Sequence, residues 1–405
     1  MTTFFHPKPN QPLQLLGGIS PAEFMSKYWQ KKPLLIRNAI PDFKPLLSRT
    51  ELFELAEQED VESRLILANG DKWKLSHGPF TNPASKSLPS LKKSNWTLLV
   101  QGVDMHAAQV HALKNQFRFA PDARLDDVMI SFATDGGGVG PHFDSYDVFL
   151  LQAHGTRRWR IGKQKDGTLQ PNVPLKILAN FKPEQEFDLQ PGDMLYLPPR
   201  YAHDGVAVGE CMTYSIGFKA PKEVDLGREL LLRFADDTQE DQEDKEDHGA
   251  AEDDSSGAQR KIKPDVLYRD ADQSAVEHPA EIPDALLMFA RQAVDKAMAD
   301  PDALARNLGE YLTEPKANVW FDEPAGDVVL TRLNRVELSP RSQMMFDARH
   351  IFLNGESWRA AGNDAKLMRR LADQRYLNPA ELTKASDGAV SLLQEWIDQG
   401  WLVCL

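Results

Sequence analysis

The middle of the chain alternates apolar and polar residues over short runs, whereas both flanks repeat apolar residues at helical spacing. Between residues 63 and 220 the apolar runs are separated by Gly, Pro or Asp turns. They are "SRLILANG", "NWTLLVQGVD", "DDVMISFATD", "DVFLLQAHG", "TRRWRIG", "EFDLQPGDMLYLPP" and "CMTYSIGFKA". Many short strands without helices between them predict an antiparallel sandwich or barrel, and so a mainly β domain with added helices.

The segment before these strands carries the signals of a helix start. Ser20 is placed to cap a helix whose first residue is Pro21, and Glu23 stands where a capping box needs an acidic side chain. The run "KPLLIRNA" then predicts a short buried strand, and residues 49–57 predict a second helix.

After Ala220 the pattern becomes helical. Apolar residues recur at steps of three and four in "VDLGRELLLRFADD", "DALLMFARQAVDKAMAD" and "PDALARNLGEYL". Further on, "RHIFLNGESWRA" predicts a hairpin about an Asn-Gly turn, and small helices precede a terminal strand "WLVCL". This order predicts three domains: a β-rich domain over 1–220, a helical segment over 221–315 and a winged-helix-like domain over 316–405.

Charge changes this picture in one segment. The chain has 405 residues and a formal net charge of -13. An insertion over 236–258 holds eleven acidic residues and one lysine, and such a block is expected to be disordered or solvated. It would serve as a solubilising loop or as a partner-binding tail. The acidic balance argues against non-specific nucleic-acid binding and leaves room for a basic protein partner.

Composition excludes several classes of protein. No run of 18 apolar residues occurs, so no membrane span is expected, and the start lacks the pattern of a secretory signal. The two cysteines, Cys211 and Cys404, lie far apart and cannot form a disulfide framework. A cytoplasmic protein with two plain core thiols is the expectation.

The candidate chemistry begins at "GGGVGPHFDSYDVFLLQ". His142 and Asp144 are two residues apart, so in an extended strand both side chains point the same way. His203 follows much later, after a "PGD" turn. Two histidines and one carboxylate form the facial triad of non-heme Fe(II) oxygenases, which leaves coordination positions open. An H-x-D pair alone is a weak signal, because a solvated histidine beside an aspartate gives the same pattern.

A buried arginine sharpens the metal hypothesis. In "TRRWRIG" strand alternation places Arg157 on the inward face with Trp159 and Ile161, whereas Arg158 and Arg160 should face solvent. A buried guanidinium needs a partner. Either a dicarboxylate cosubstrate or an internal salt bridge would supply one.

The same parity argument leaves two choices for "DDVMISF". If Asp127, Met129 and Ser131 face the barrel interior, Ser131 can bond a carboxylate deep inside and Asp127 offers a negative charge nearer the mouth. The alternate residues would then pack outward under the N-terminal helices. Asp127 as an ordinary turn residue is the equally open alternative.

Five segments together resemble the JmjC-type (cupin-4) 2-oxoglutarate oxygenases. They are "GVGPHFDSYDVFLLQ", "TRRWRIG", "PGDMLYLPPRYAHDG", "YWQKKPLLIRNA" and "WTLLVQGVD". Within that family the chain is most similar to bacterial ribosomal oxygenases that hydroxylate an arginine of large-subunit ribosomal protein sixteen. The resemblance is dense over residues 1–220 and weaker beyond, and it implies a double-stranded β-helix (jelly-roll, cupin) barrel.

The resemblance also implies roles for individual residues. His142, Asp144 and His203 would bind Fe(II). Arg157, assisted by Ser131, would hold the distal carboxylate of 2-oxoglutarate, and O₂ would be the other cosubstrate. The substrate pocket would contain Asp127, Met129, Tyr146 and Ser215, with Asp127 pairing with a guanidinium. The middle helices would form a homodimer, and a basic ribosomal protein would be the substrate. The acidic insertion departs from the family pattern and puts the dimer surface in doubt.

Other functions stay open at this level. A metal-dependent cupin isomerase or hydrolase of a small molecule would need the metal but no 2-oxoglutarate, and a histidyl or asparaginyl hydroxylase would differ only in its substrate. A DNA-binding regulator would use the basic residues Lys366, Arg369, Arg370 and Arg375, although a solvated helix face explains them more simply.

Overall fold

The computed structural model describes residues 7–70, 72–81, 87–247, 268–269, 280, 282–300 and 302–405. The chain forms two compact units. The first comprises the chain up to Ala220 together with Pro315–Met345 and Ala361–Leu405, and the second comprises Pro221–Glu314 and Phe346–Ala360. Within the described ranges no helix is both long enough and apolar enough to span a membrane.

The first unit contains most of the strands. They are β1 (Leu34–Ile36), β2 (Ser63–Asn69), β3 (Lys72–His77), β4 (Trp96–Val100), β5 (Leu125–Ala133), β6 (Val148–Gly162), β7 (Gln185–Leu189), β8 (Met194–Leu197), β9 (Ala202–Phe218), β10 (Val336–Leu338), β14 (Tyr376–Leu377) and β15 (Leu402–Cys404). Strand β11 (Met344–Phe346) lies where the chain passes between units, and β12 (His350–Leu353) and β13 (Glu356–Arg359) belong to the second unit.

The helices are shared between the two units. The first unit holds α1 (Pro21–Lys27), α2 (Arg49–Leu55), α3 (Ala108–Asn115), α7 (Gly362–Gln374), α8 (Pro379–Leu382) and α9 (Asp387–Asp398), with short 3₁₀ turns at Gln14–Leu16 and Val103–Met105. The second unit holds α4 (Glu223–Asp247), α5 (Asp284–Ala297) and α6 (Ala303–Thr313).

Nine strands form the antiparallel barrel that the sequence predicts. Their order is β1-β8-β6-β9-β5-β4-β2-β3, with β7 paired to β6. Strands β6 and β9 pair from Val148↔Gly217 to Gly162↔Ala202, and the register shifts twice near His154. Each register shift is expected to bend the two long strands. The fold is the double-stranded β-helix expected from the sequence.

The N-terminal helices cover one outer face of the barrel. Ser20 Oγ accepts a hydrogen bond from the Glu23 amide, and Ser48 with Glu51 forms a full capping box on α2, so both helix starts are confirmed. Phe24 of α1 contacts the rings of Phe149 and Tyr196. Burial of each side chain of this kind contributes roughly 1.5–3 kcal/mol to the free energy of folding. This packing attaches the helices to the outer wall of the barrel.

The structure shows which alternate residues of β5 face the barrel interior, a choice that the sequence left open. Val128, Ile130 and Phe132 are fully buried in the large core that includes residues of α1, α2 and α3. Asp127 and Ser131 are also buried, at 4% exposure each, but they belong to the opposite face. Asp127, Met129 and Ser131 therefore face the barrel interior.

The C-terminal part of the first unit is a small sheet of β14, β10 and β15 with helices α7 and α9. Arg375 ends α7 and lies buried, and its Nη2 donates to the carbonyls of Ser339 and Ser342. Arg370 forms an ion pair with Glu381. The interpretation of these arginines as a solvated face is therefore wrong for Arg375.

The hairpin predicted about an Asn-Gly turn is β12–β13. Asn354 and Gly355 both have positive φ, at 51° and 94°, as a tight two-residue hairpin turn requires. This hairpin groups with α6, since a Cβ on Gly309 would lie 2.3 Å from the Phe352 ring. The compact units thus divide the chain differently from the predicted boundary at 316, and the three-domain organisation stays a prediction.

The acidic insertion is only partly described. The backbone over 236–247 continues helix α4, and the expectation of a disordered or solvated insertion stays a prediction. Residues 248–258 lie outside the described residues. Cys211 and Cys404 are both free thiols, and Cys211 is buried.

Candidate functional site

Three side chains that the sequence singled out converge at one end of the barrel. His203 Nε2 lies 3.4 Å from Asp144 Oδ2, and His142 Nε2 lies 3.7 Å from Asp144 Oδ1. The two imidazole rings are 4.2 Å apart between centroids. One ligand atom from each residue lies within 4.8 Å of the others, which is close enough for a single metal ion.

The backbone builds this cluster from a loop and the start of a strand. His203 is the second residue of β9, and its amide and carbonyl pair with those of His142 at 3.0 Å each. The expectation that His142 and Asp144 lie on a regular strand is wrong, because the loop contributes only this isolated bridge. The single bridge nevertheless holds the loop extended, so the two side chains share one side.

Glycines permit the close approach of this loop. A Cβ on Gly138 would lie 2.6 Å from the Gly205 carbonyl oxygen, a distance that backbone atoms do not allow. Gly140 has a φ of +77°, which favours glycine, and its carbonyl lies 2.8 Å from His142 Nδ1. The glycine-rich turn therefore places the histidine and also orients its ring.

The tautomer of each histidine follows from its backbone contact. His142 Nδ1 faces the Gly140 carbonyl, and His203 Nδ1 faces the Tyr201 carbonyl at 2.9 Å. A carbonyl only accepts, so both Nδ1 atoms carry a proton, and in the neutral form of each ring Nε2 holds the lone pair that could bind a metal ion, whereas only the protonated ring can donate to Asp144. This is the outer-shell arrangement that metal-binding histidines use.

The electrostatics of the three groups are coupled. Burial lowers the pKa of His142, and the neighbouring His203 lowers it further. Burial also acts to lower the pKa of His203, but the hydrogen bond and charge of Asp144 outweigh it and raise that pKa. Burial would raise the pKa of Asp144, yet the hydrogen bond from His203 and both imidazoles lower it. Asp144 is therefore an anion between two nitrogen donors.

Arg157 lies inside the same barrel, as strand alternation predicts. It is 3% exposed, and Nη1 donates to Ser131 Oγ at 3.1 Å while Nη2 donates to the Gly205 carbonyl at 3.2 Å. Its guanidinium stands 5.3 Å from the Trp159 ring centroid. Arg158 and Arg160, on the other face, pair with Asp188 and Asp204, and their side chains are 45% and 41% exposed.

The guanidinium of Arg157 is not neutralised by its surroundings. Among the residues that the structure describes, no carboxylate oxygen lies within 4.0 Å of it, and Nε has no hydrogen-bond partner. The internal salt bridge that the sequence left open is therefore wrong for this part of the chain. A buried cation held only by neutral oxygens is a receptor for an anion.

Two residues behind Arg157 were missed by the sequence reasoning. Thr213 lies opposite Ser131 on β5 and Gln152 on β6. Its Oγ1 lies 3.5 Å from Arg157 Nη1 and donates to Gln152 Oε1 at 2.9 Å. Alternation in "CMTYSIGF" could have predicted Thr213 as an inward polar residue. Thr213 and Ser215 are polar, whereas the residues between and beside them belong to the core: Met212, Tyr214 and Ile216.

The four predicted pocket residues lie on adjoining elements. Met129 is opposite Ser215 in register, and Ser215 is buried. Asp127 lies two residues before Met129 on the same face of β5. Tyr146 is 39% exposed, and burial together with the charge of Asp144 raises its pKa above the ordinary value. Their geometry is compatible with a pocket, while their roles stay predictions.

Comparisons with known proteins agree with this fold. Residues 112–226 match the JmjC domain model, and residues 296–403 match the ROXA-like winged helix model. The chain is 35% identical over 303 residues to the ribosomal protein uL16 3-hydroxylase of Escherichia coli, covering 75% of this chain and 74% of that protein. It is 40% identical over 208 residues to a probable ribosomal oxygenase of Haemophilus influenzae, covering half of each chain.

Solved structures show the same relationship over nearly the whole chain. The structure of the E. coli ribosomal oxygenase YcfD superposes with a TM-score of 0.76 at 28% identity, covering 95% of this chain and 98% of that one. A second structure of YcfD, in complex with cobalt and 2-oxoglutarate, has a TM-score of 0.74 and covers 97% of its own chain. The chain belongs to the JmjC ribosomal oxygenase family.

Proposed function

We propose that this protein is an Fe(II)- and 2-oxoglutarate-dependent hydroxylase of an arginine side chain in large-subunit ribosomal protein uL16. The observation that carries the proposal is Arg157, a buried cation that has no acidic partner among the described residues, in a barrel that also holds His142, Asp144 and His203. A dicarboxylate cosubstrate would satisfy the arginine and chelate the metal at once. The E. coli relative is named for uL16, and its structure was solved with cobalt and 2-oxoglutarate.

The residues of the site fit this chemistry. His142, Asp144 and His203 would hold the iron with nitrogen and oxygen donors, as a facial triad does, and in the described part of the chain no thiolate belongs to the cluster. Bound Fe(II) would couple the loss of CO₂ from 2-oxoglutarate to hydroxylation of the substrate by O₂. Arg157 and Ser131 would bind the far carboxylate of 2-oxoglutarate, and Trp159 would keep water from the guanidinium.

A cationic substrate side chain is favoured by Asp127. This carboxylate is buried on the same inward face of β5 as Met129 and Ser131. A neutral histidine or asparagine would add no positive charge beside it, whereas a guanidinium would form a charge-assisted hydrogen bond with it. Tyr146, Met129 and Ser215 would complete the wall around the methylene stem, which favours arginine hydroxylation over the histidyl and asparaginyl alternatives.

The decisive experiment is intact-mass analysis of uL16 after incubation with the protein, Fe(II), 2-oxoglutarate and O₂. We expect a gain of one oxygen atom, located to an arginine by fragmentation, with release of succinate and CO₂ in equal amounts. A uL16 variant with that arginine changed to lysine is the matched control and should gain nothing. Turnover of a small molecule without decarboxylation of 2-oxoglutarate would instead support the cupin isomerase or hydrolase alternative.

A basic ribosomal substrate also suits the charge of the protein. The net charge of -13 attracts basic partners at long range, and added salt weakens this attraction. We also infer a cytoplasmic location. The proposed ribosomal substrate is made there, and free thiols such as Cys211 are typical of that reducing compartment.

We further propose that helix α5 pairs with a second copy of the chain. Leu287, Val294 and Met298 are spaced by seven and four residues, so they form one stripe, and each is more than half exposed. An exposed apolar stripe of this kind marks an interaction surface.

This surface predicts a dimer that charged substitutions dissociate. We expect light scattering to give twice the 45.5 kDa chain mass for the natural protein and the single mass for Leu287→Asp/Val294→Asp. Lys296→Asp, an exposed change on the same helix, should leave the dimer intact. A natural protein that is monomeric, or a double variant that remains dimeric, would contradict the assignment.

A further inference from the structure

The carboxylate of Asp127 is held on one oxygen only. Oδ2 accepts hydrogen bonds from Gln101 Nε2 at 2.7 Å and from the Gly102 amide at 3.0 Å. Oδ1 makes no hydrogen bond to any residue that the structure describes, although the side chain is 4% exposed. A Cβ on Gly217 would lie 3.6 Å from Oδ1, so the glycine leaves this oxygen open on the β9 side. The free oxygen is thus a defined acceptor for a donor that enters the barrel.

The amide of Gln101 cannot turn away from this carboxylate. Its Oε1 accepts a hydrogen bond from Arg64 Nη2 at 3.2 Å, so its Nε2 must point toward Asp127. The Arg64–Gln101 pair therefore keeps an amide donor directed at one oxygen of the Asp127 carboxylate.

Lys316 approaches the occupied oxygen from a segment that the sequence assigns outside the barrel domain. Its Nζ lies 2.9 Å from Asp126 Oδ1 and 3.8 Å from Asp127 Oδ2. One lysine therefore faces two carboxylates, and it approaches Asp127 on the Oδ2 side. A guanidinium at Oδ1 would add the positive charge that this oxygen lacks among the described residues.

The surroundings act on the ionisation of Asp127 in opposite directions. Burial raises its pKa, the charge of Lys316 lowers it, and the carboxylates of Asp126 and Asp104 raise it. The titratable and charged groups near it lie on several elements: Arg64 on β2, Asp104 in the 3₁₀ turn, Lys114 on α3 paired with Asp104, Asp126 on its own strand, Tyr146 in the metal-site loop, Lys219 after β9, and Lys316. Lys219 is itself weakened as a cation, since burial lowers its pKa, so Lys316 is the main counter-ion.

We propose that Lys316 is a positioning residue of the substrate pocket: with Gln101 and the Gly102 amide it holds Oδ2 of Asp127, so that Oδ1 stays free and anionic for the guanidinium of the substrate. This inference rests on the proposed arginine hydroxylation. It assigns to the segment after α6 a direct part in substrate selection, because a residue from that segment completes the pocket of the barrel.

The test compares Lys316→Met and Lys316→Arg with the natural protein, using a uL16 peptide that contains the target arginine. We expect Lys316→Met to raise KM for the peptide about tenfold or more, with a smaller effect on kcat, because loss of a cation within 4–6 Å changes a carboxylate's pKa by about one unit or more. Asp127 binds the substrate as an anion, so activity falls as the pH drops through its pKa. The acid limb of kcat/KM should therefore move to higher pH in Lys316→Met, and Lys316→Arg should restore it.

The controls separate a pocket role from a structural one. Lys27→Met removes an exposed lysine that pairs with Glu23 and should change neither KM nor the acid limb. A purely structural Lys316 would lower the melting temperature of Lys316→Met and leave the acid limb in place, and that result would overturn the inference. So would an unchanged KM for the peptide.

The failure of this inference differs from the failure of the proposed function. If the natural protein consumes no 2-oxoglutarate with the arginine peptide, the proposed function fails. If the natural protein is active and discriminates against a citrulline peptide, while Lys316→Met discriminates equally well, only the role of Lys316 fails.

Discussion

Replacement of Asp144 by alanine is expected to abolish hydroxylation while the barrel stays folded. Asp144 is the only anion in the cluster with His142 and His203, and its two oxygens lie 3.7 Å and 3.4 Å from the two Nε2 atoms. The loss should exceed the ten- to hundredfold that removal of an outer-shell partner costs, so we expect at least about a hundredfold lower turnover. Turnover is measured as succinate release, and Co(II) affinity is measured by calorimetric titration.

The fold should survive this change because the loop is held by its backbone. The His142 and His203 amides pair with each other's carbonyls, and the Arg200 amide donates to the Asp144 carbonyl at 2.7 Å. Circular dichroism should therefore be unchanged. Asp135→Ala, an exposed aspartate in the turn before this loop, should keep both turnover and Co(II) affinity. Near-normal turnover of Asp144→Ala would disprove the ligand assignment.

The inward faces of the strands could be predicted from the sequence because alternation has only two outcomes. Arg157 shares its parity with Trp159 and Ile161, and the structure confirms that it is buried. For β5 the two outcomes were equally open, since both Val128 and Ser131 are compatible with burial. Packing of Phe132 against Phe53 of α2 decides the question, and that contact is tertiary.

The convergence of the metal-site cluster could be predicted only in part. The spacing of His142 and Asp144 gives a shared direction, but their loop is held extended by one bridge to a residue 61 positions later. Hydrophobic periodicity carries no information about such a bridge. His203 was proposed as the third ligand only because it follows the "PGD" turn in the β-rich region, and the resemblance to the JmjC family supported that choice.

Contacts between distant segments account for what the sequence did not reveal. Gln101, Thr213 and Lys316 have no motif of their own, and each acquires a role only from the strand or segment beside it. Arg375 was read as part of a basic helix face, yet carbonyls from Ser339 and Ser342 bring it into the interior. Side-chain partners of this kind lie dozens of residues apart, beyond the reach of any local pattern.

Replacement of Arg157 is expected to remove 2-oxoglutarate binding more than it affects stability. The guanidinium is buried, donates to Ser131 and the Gly205 carbonyl, and has no carboxylate partner in the described chain. Loss of one partner from a buried charge pair costs about 2–5 kcal/mol, so KM for 2-oxoglutarate should rise about thirtyfold or more in Arg157→Met. Arg157→Lys should recover only part of this, because an ammonium lacks the planar fork.

The same variant should be as stable as the natural protein when 2-oxoglutarate is absent. A buried cation without a counter-ion is unfavourable, and an apolar side chain of similar length relieves that cost. We therefore expect the melting temperature of Arg157→Met to equal or exceed that of the natural protein. Addition of 2-oxoglutarate should raise the melting temperature of the natural protein but not that of the variant. Arg158→Met is the matched control, since the neighbouring arginine faces outward and pairs with Asp188. If Arg157→Met bound 2-oxoglutarate as tightly as Arg158→Met does, the cosubstrate would have to be held elsewhere, and the buried charge of Arg157 would need another anion to explain it.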